Sequence, residues 1–520
     1  PTPLTWDIVQ SFMSGSGGFG RLYRRLGYRP SPRVCREGFL ELIAGRIYSD
    51  PERQAELFWE GIPLQYDVEA LIADPGRLNR PPPRFIPAAA GAPFLLHLPA
   101  FLWSLVRSSR VLRRVRRNAD LTFTTLVLPP YLDYVRDRRR QDLSALPDDA
   151  LVRELHDRRR RVLDEFATES LLPGFAGGAA LDSLVHTLAQ VLGSNEGRLA
   201  AIALTVPAGD DTTFLQSTRL RQVANGTCAM SAFLEEFGHR ATGEMELAEP
   251  RWREDTAYLE QILSRLRRSP APPPDAQREA SRRKRAEAES RLWMDLEACG
   301  GSSLREDIER DLADARRLLP FRETGKHYLM MGYELIRLVI EELARRWDMG
   351  RHIYFLHLAE LDGGGRRRDA LLQEARRRQV RWQSFQRLDM PDVIDSQNLE
   401  SFGKAAAVTG ASEFTGEPVS PGLSAGPAQV IFSPADAGET AGTILVCPST
   451  DPAWTPLFLQ AKGLIVERGG VLSHGAIVAR DFGMPAVVLR DATRLLRTGD
   501  SVRIDGGTGR VTLLERKRND

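Results

Sequence analysis

One histidine stands out because of the residues around it. His474 follows the glycine-rich turn 469–473 and directly precedes the small residues 475–479. The small residues predict a helix, and the first N–H groups of a helix have no partner inside it, so they attract anions. A neutral imidazole displayed at such a place can attack phosphorus. The pattern predicts a histidine that carries a phosphoryl group, with a purely structural histidine as the alternative.

Three polar neighbours could contact this ring or its phosphate. Ser473 and Thr450 carry hydroxyl groups that could hydrogen-bond to either group, or that could only complete the turns in which they lie. Arg480 follows His474 by six residues, which places it on another face of the predicted helix. We therefore expect Arg480 to form a structural ion pair rather than to contact phosphate.

A second set of charged residues also suits phosphoryl transfer. Arg322 and Lys326 are four positions apart, just after Pro320, so they share one face of a predicted helix. Two cations side by side could neutralise a phosphoryl group in transit. The alternative is a solvated cationic face, which an arginine-rich chain often has. Glu323 could orient the pair or could interact with the start of the helix.

A third set is polar and surrounds a glycine. His239 and Arg240 follow Gly238, and Glu244 and Glu246 come four and six residues after Arg240. These side chains could form a buried network that lines a substrate pocket, or a network that only fixes helix packing. Thr5 and Trp6 could line the same pocket, although Trp6 could equally be a core aromatic residue.

Two kinds of element must position these residues. Up to about residue 389, apolar residues recur every three or four positions, which predicts amphipathic helices. From 422 onward, short β-type runs alternate with two helical runs. We predict a multidomain chain with a helical substrate domain at 1–389, a hinge linker at 390–415 and a small α/β domain at 416–520. The predicted helices are 150–170, 180–204, 215–238, 253–268, 276–299, 303–318, 324–347, 454–461 and 474–482, and the predicted strands are 428–432, 443–447, 463–466, 486–489, 501–504 and 510–514.

Two helical runs have an unusual composition. The apolar run 94–106 is followed by a basic run at 107–117. A buried helix with a solvated basic end is the interpretation that we favour, because thirteen residues suit a core helix and are too few for a membrane span. A flap over an apolar acceptor and contact with a membrane surface are the alternatives. The charged run 278–291 predicts a helix that projects into solvent.

The composition of the chain excludes several classes of protein. The 71 lysines and arginines nearly balance the 69 acidic residues, so nothing in the charge requires nucleic acid. Hydrophobic residues make up 42% of the chain, which argues against global disorder. The four cysteines form no CxxC pair, which argues against a zinc site and a disulfide framework and fits a cytoplasmic protein. We recognise no signal peptide and no membrane span.

The C-terminal part resembles the phosphohistidine swivelling domain of the phosphoenolpyruvate-utilising enzymes, which include rifampicin phosphotransferase. The resemblance implies a small α/β domain of β/β/α type, and it includes SPGLSAG at 420–426, CPSTDP at 447–452, GLIVE at 463–467, the His474 signature, FGMPAV at 482–487 and DGGTG at 505–509. Pyruvate-type members usually have alanine after the histidine, whereas rifampicin phosphotransferases resemble this chain, which has Gly475. The preceding residues resemble their mostly helical substrate domain in TPLTW at 2–6, FGHR at 237–240, PRW at 250–252 and Arg322-Glu323 with Lys326.

The resemblance implies a phosphotransferase that works in two steps. ATP with Mg²⁺, bound by an ATP-grasp domain, would phosphorylate His474, which would then deliver the group to a hydroxyl of a small, partly apolar acceptor. Arg322 and Lys326 would serve the transfer, and the chain itself would hold no metal. The residues implied in substrate binding are Thr5, Trp6, His239, Arg240, Glu244, Ser473 and Gly475. A phosphorylation-dependent dehydratase or condensing enzyme is one alternative, and a non-catalytic binding or regulatory protein is another.

Two parts that occur in members of this family are not recognisable in this sequence. No ATP-grasp region is recognisable, so it would belong to a separate subunit or a separate domain, or else this homologue does not use ATP. The glycines of 15–20 are the nearest match to a phosphate loop, but they follow a helical run rather than a strand, so we expect no nucleotide there. We also expect no pyruvate-type barrel after the swivelling domain.

Overall fold

A computed structural model describes residues 1–66, 83–86, 91–205, 212–268, 274–363, 367–388, 390–391, 393–394, 412–438 and 440–517. We call residues 1–388 the helical region and residues 412–517 the carrier region. Most of the predicted hinge at 390–415 lies outside the described residues. The predicted boundaries of the domains and of the hinge stay predictions.

The helical region contains helices and two small antiparallel β-hairpins. The strands are β1 (Leu40–Ile43), β2 (Arg46–Ser49), β3 (Leu64–Tyr66) and β4 (Pro83–Phe85). The helices are α1 (Pro3–Met13), α2 (Gly18–Arg25), α3 (Pro32–Glu37), α4 (Pro51–Ala55), α5 (Ala92–Leu96), α6 (Leu98–Thr122), α7 (Leu128–Arg140), α8 (Asp148–Arg159), α9 (Ala167–Ser170), α10 (Leu172–Leu192), α11 (Ser194–Leu204), α12 (Thr212–Ala224), α13 (Met230–Phe237), α14 (Ala257–Arg268), α15 (Pro274–Ala298), α16 (Arg305–Leu318), α17 (Phe321–Arg346), α18 (Leu358–Leu361) and α19 (Arg368–Gln386). The π-helical segments Phe123–Val127 and Arg160–Phe166 extend α6 and α8.

Helix α17 forms the centre of the main apolar core. Its residues Leu329, Tyr333, Ile336, Ile340 and Leu343 are spaced three or four apart and are all buried, which is the periodicity of one helix face. This face packs against α8 and α10. The first turn of α17 is therefore held in a fixed place, and it carries the charged residues after Pro320.

The carrier region is built on one mixed eight-stranded sheet. Its strand order is β5-β12-β11-β7-β8-β9-β10-β6, and β7 to β10 are parallel neighbours. Strands β8 and β9 are buried along their whole length, as expected for parallel strands covered on both faces. The strands are β5 (Glu413–Thr415), β6 (Glu417–Ser420), β7 (Leu423–Val430), β8 (Ile444–Cys447), β9 (Gly463–Val466), β10 (Ala486–Val488), β11 (Ser501–Asp505) and β12 (Arg510–Glu515), and the helices are α20 (Thr455–Phe458), α21 (His474–Asp481) and α22 (Ala492–Leu495).

The two regions share an apolar core. Phe214 and Phe233 of the helical region belong to the same buried cluster as Trp454, Phe458 and Phe482 of the carrier region. The carrier region is therefore docked on α12 to α15, and this docking brings α21 to the first turn of α17.

The predicted fold class is confirmed, and two predictions about helices are wrong. The run 278–291 lies in α15, but it does not project into solvent, because Arg278 is buried over the ring of Phe214 and Ser281 is buried next to Gly483 of the carrier region. The run 94–106 is not a buried helix, because most of its large apolar side chains are exposed. Among the helices of the described ranges, none combines the length and hydropathy that a membrane crossing needs.

Candidate functional site

His474 is the first residue of α21, where the turn before it places the imidazole at the start of the helix. The hydroxyl of Ser473 accepts a hydrogen bond from the N–H of Ala476 at 3.3 Å. Ser473 is thus an N-cap, which agrees with its alternative interpretation as a turn residue. The His474 side chain is buried against the helical region.

Both ring nitrogens of His474 have partners. Nδ1 lies 3.1 Å from Oε2 of Glu323, and Nε2 lies 3.0 Å from the hydroxyl oxygen of Thr455. Burial raises the pKa of Glu323, but its interaction with His474 and the charge of Lys326 outweigh burial and hold it below its usual range. An ionised carboxylate only accepts, so Nδ1 carries a proton, and in a neutral imidazole the lone pair is then on Nε2. Nε2 is therefore the nucleophilic nitrogen.

Two cations flank Glu323 on the first turn of α17. Nζ of Lys326 lies 3.0 Å from Oε2 of Glu244. Burial lowers the pKa of Lys326, but Glu244 and Glu323 outweigh burial and raise it, so the amine stays charged. The Arg322 side chain is exposed, and within the described part of the chain its guanidinium makes no hydrogen bond or ion pair. Arg322 is thus available to an anion.

The predicted polar network exists, and it reaches the site through Lys326. Nη1 of Arg240 donates to Oε1 of Glu244 at 2.7 Å, and Nη2 lies 3.2 Å from Nδ1 of His327. Burial raises the pKa of Glu244, but Arg240 and Lys326 outweigh burial and lower it to about 2. His239 packs its ring edge-on against His327 with centroids 4.7 Å apart, and burial lowers its pKa well below the usual range. His239 is therefore neutral and lies behind the network.

Thr5 and Trp6 lie in a different polar cluster. The hydroxyl of Thr5 donates to Oε1 of Glu246 at 2.6 Å and accepts from the N–H of Leu247 at 3.0 Å. Trp6 is buried on the same helix, α1. The structure joins Thr5 to Glu246, and it places neither Thr5 nor Trp6 in contact with His474.

Gly475 allows a close approach by a neighbouring loop. A Cβ atom at this position would lie 2.5 Å from the hydroxyl oxygen of Thr450. Thr450 therefore packs directly over the start of α21, where alanine would require it to move. Arg480 donates to the carbonyl oxygen of Val419 at 3.2 Å, which agrees with a structural role.

Two residues of the site were missed by the sequence interpretation. Thr455 is in α20 and holds Nε2 of His474, and no feature of its own sequence context distinguishes it. Asp451 accepts hydrogen bonds from the N–H groups of Gly243 at 2.7 Å and Ala453 at 2.9 Å. Burial and Glu244 raise the pKa of Asp451. The sequence signal for Asp451 was the STDP motif at 449–452, which carries part of the resemblance but was given no role there.

Within the ranges that the structure describes, we find no site that fits a bound nucleotide with its metal. In the described ranges, no cluster of three His, Cys, Asp or Glu side chains could hold a metal ion. The glycines of 15–20 connect α1 to α2, and Cβ atoms at Gly17 and Gly20 would lie within 2.1 Å of backbone carbonyl oxygens. These glycines allow helices to pack closely and do not form a phosphate loop.

Comparison with known proteins confirms the resemblance. Residues 439–509 match the PEP-utilising enzyme mobile domain, and residues 179–323 match the rifampicin phosphotransferase fourth domain. The rifampicin phosphotransferase of Bacillus cereus is 31% identical over 303 residues, which are 55% of this chain and 34% of that protein. The prodigiosin synthesizing transferase PigC of Serratia marcescens is 30% identical over 299 residues, which are 56% and 34%. The matched part therefore spans about a third of the length of these curated relatives.

Proposed function

We propose that this chain is the carrier and acceptor part of a phosphotransferase, and that Nε2 of His474 carries the phosphoryl group. The observation that supports the proposal is the contact of Nδ1 with Glu323 on the turn that also bears Arg322 and Lys326. That contact leaves the other nitrogen nucleophilic beside two cations. A resting histidine in a structural core would need neither the ionised carboxylate nor the exposed guanidinium.

The transfer step follows from these roles. The oxygen of an acceptor hydroxyl attacks phosphorus, an O–P bond forms, and the N–P bond breaks with its electron pair returning to Nε2. The imidazole leaves in its neutral form, because the proton stays on Nδ1, where it is hydrogen-bonded to Glu323. Arg322 and Lys326 stabilise the charge on the phosphoryl oxygens. We assign the hydroxyl proton to Asp451, a buried carboxylate whose raised pKa suits a base.

The charging of His474 is assigned to a separate ATP-grasp domain or subunit, since the described residues do not fit ATP and Mg²⁺. We propose that residues 1–389 bind the acceptor, that 390–415 act as the hinge, and that 416–520 form the swivelling domain. A cytoplasmic location goes with this proposal, because scattered cysteines fit a reducing compartment. The acceptor class proposed from the relatives named rifampicin phosphotransferase is a hydroxylated, partly apolar small molecule.

A condensing enzyme is the second candidate, and the similarity to a prodigiosin synthesizing transferase favours it. In that case the phosphoryl group would activate an acceptor oxygen and would then leave as inorganic phosphate while a new bond forms. The mass of the product separates the two functions. A stable phosphate ester supports transfer, and phosphate release with a joined product supports condensation.

The proposal can be tested without the donor domain. Phosphoramidate, a small chemical donor, is expected to place acid-labile phosphate on His474 of the purified chain, mapped by mass spectrometry under basic conditions. Adding rifampicin as a probe acceptor is then expected to discharge the label with product formation. His474→Ala is the control. If this variant labels as the wild type does, the site is wrong, and if no hydroxylated acceptor discharges a labelled protein, the non-catalytic alternative gains support.

A further inference from the structure

Helix α6 is oriented against its own hydrophobic pattern. Its small polar residues Ser104 and Ser108 face the protein and are buried, whereas Leu102 and Trp103 are 53% and 62% exposed. An ordinary surface helix buries its large apolar side chains and exposes its polar ones. The reversed orientation needs a physical explanation.

The buried side of α6 explains why serine lies inside. The hydroxyl groups of Ser104 and Ser108 donate to the carbonyl oxygens of Phe101 at 2.7 Å and Leu105 at 3.0 Å, so burial leaves neither without a partner. A Cβ atom at Gly27 would lie 3.3 Å from Cα of Ser108. The helix therefore lies close to the backbone at Gly27, where a large side chain has no room.

The outward side carries a continuous apolar surface at the N-terminal end. Exposed aliphatic and aromatic side chains occupy both α5 and the first turns of α6, namely Leu95, Leu96, Leu98, Leu102, Trp103, Leu105 and Val106. Isolated exposed apolar residues are ordinary, but a contiguous group of this size marks an interaction surface. We call this group the apolar tip.

The same side becomes basic further along the helix. Leu102, Val106, Arg110, Arg113 and Arg117 follow each other at spacings of three or four residues, so they share one face. Arg107 and Arg114 are also exposed. No acidic residue occurs from position 83 to 119, and Asp120 is paired with Arg317. The outward face thus combines the apolar tip with a row of arginines and carries no acidic residue among them.

We propose that α5 and α6 bind an anionic lipid surface. The apolar tip would enter the boundary between headgroups and acyl chains, and the arginines would contact lipid phosphates. A protein partner would have to supply an acidic match for each of several arginines, whereas an anionic bilayer matches all of them without a specific pattern. The binding would be peripheral. If the proposed function holds, it would bring the helical region, which we propose binds the acceptor, to a place where apolar molecules concentrate.

The test is co-sedimentation of the full chain with vesicles. Vesicles of phosphatidylcholine with about 30% phosphatidylglycerol are expected to bind the wild type, and pure phosphatidylcholine is expected to bind it at least tenfold more weakly, because each arginine near an anionic surface adds favourably. High salt should reduce the binding. Leu102→Ser/Trp103→Ser should abolish it, and Arg114→Glu/Arg117→Glu should weaken it at least tenfold.

Matched controls separate lipid binding from general surface effects. Val380→Ser removes an equally exposed apolar side chain from α19, and Arg376→Glu/Arg381→Glu reverses two exposed arginines there. Both controls should bind vesicles as the wild type does. The proposal is overturned if anionic vesicles do not bind the wild type, or if the tip variants bind unchanged. It is also overturned if the tip variants instead dissolve a dimer, which would identify a second copy as the occupant.

Discussion

His474 and Glu323 form a buried pair in which the carboxylate selects the reactive nitrogen. Glu323→Ala should remove this selection, so that chemical labelling gives phosphate on both Nδ1 and Nε2. Glu323→Gln keeps an acceptor for the Nδ1 proton and should restore labelling at Nε2, although without the charge. Phosphorus NMR of the labelled protein distinguishes the two isomers.

Transfer to the acceptor should respond more strongly than labelling. Partners that orient a metal-binding histidine are typically worth about 10–100-fold, and we expect Glu323→Ala to lower the transfer rate by an effect of the same order. Thr450→Ala changes a nearby hydroxyl that makes no hydrogen bond to the ring within the described part of the chain, so it serves as the control for isomer selection. A single isomer on Nε2 in Glu323→Ala would contradict the assignment of the tautomer.

Gly475 should respond to alanine in opposite directions in two backgrounds. In the wild type, a Cβ atom meets the Thr450 hydroxyl at 2.5 Å, and crowding of about 1–3 kcal/mol exceeds the gain of at most about 1 kcal/mol from better helix propensity. Gly475→Ala should therefore lower the free energy of unfolding. In a Thr450→Ala background the crowding is gone, so the same change should stabilise. Urea unfolding of the four proteins measures both effects, and a stabilising single variant would show that Thr450 moves freely.

Glu244 predicts a pH dependence of stability with a definite sign. Its pKa is lowered from 4.5 to about 2, so it stabilises the fold above its ordinary pKa, and this contribution disappears as the pH falls from about 4.5 to about 2. The shift corresponds to about 3 kcal/mol. Glu244→Gln should lose about this much at pH 7, and its stability should approach that of the wild type only as the pH falls to about 2 in denaturant unfolding. The exposed Glu279→Gln is the control, and parallel pH curves for Glu244→Gln and wild type would contradict the prediction.

Between elements, the ion pair of Arg198 in α11 with Glu417 in β6 joins the two regions. Arg198→Glu places two carboxylates together at a partly buried contact, so it should favour undocking of the carrier region. If the exchanged charge shifts the docking equilibrium by about 1.4 kcal/mol, phosphoramidate should label His474 roughly tenfold faster. The exchanged pair Arg198→Glu/Glu417→Arg should restore the slow rate. Equal rates in all three proteins would show that this contact does not control docking.

Local sequence signals predicted the elements of the carrier region well. The apolar runs 443–447 and 463–466 became β8 and β9 within one residue, and the small residues after the turn became α21. Strands β5 and β6 were missed because each has at most four residues and lacks a clear alternation of apolar and polar positions. Short edge strands carry too little pattern to be recognised.

Long-range contacts were beyond the reach of those signals. Glu323 and His474 are 151 positions apart, so their pairing depends on how the carrier region docks, and neither residue's neighbours encode it. Arg278 was interpreted as solvated because it is charged. Its guanidinium instead lies 4.0 Å from the ring centroid of Phe214, and a cation can be buried in that way over an aromatic face.

In the chain as a whole, His474 faces the helical region, where it contacts Glu323. Its side chain is only 6% exposed, so a donor domain cannot reach Nε2 in this arrangement. On the function proposed above, charging and delivery would therefore occur in two different arrangements of the carrier region, and the docked one would serve delivery. A cross-link that fixes the docked arrangement should separate the two halves of the reaction.

The contact of α15 with the carrier region provides such a cross-link. A Cβ atom at Gly483 would lie 3.9 Å from Cβ of Ser281, within the range of about 3.5–4.5 Å that disulfides require. Gly483 has a φ of +62°, where a side chain is strained, so the reduced double variant is the reference for folding and labelling. In Ser281→Cys/Gly483→Cys, oxidation should block labelling of His474 by phosphoramidate, and reduction should restore it. Protein that is labelled first and oxidised afterwards should still discharge once to an acceptor, because the docked arrangement is the one that delivers. Ser281→Cys alone controls for the oxidant. Equal labelling of the oxidised and reduced double variant would mean that His474 is charged without leaving α17.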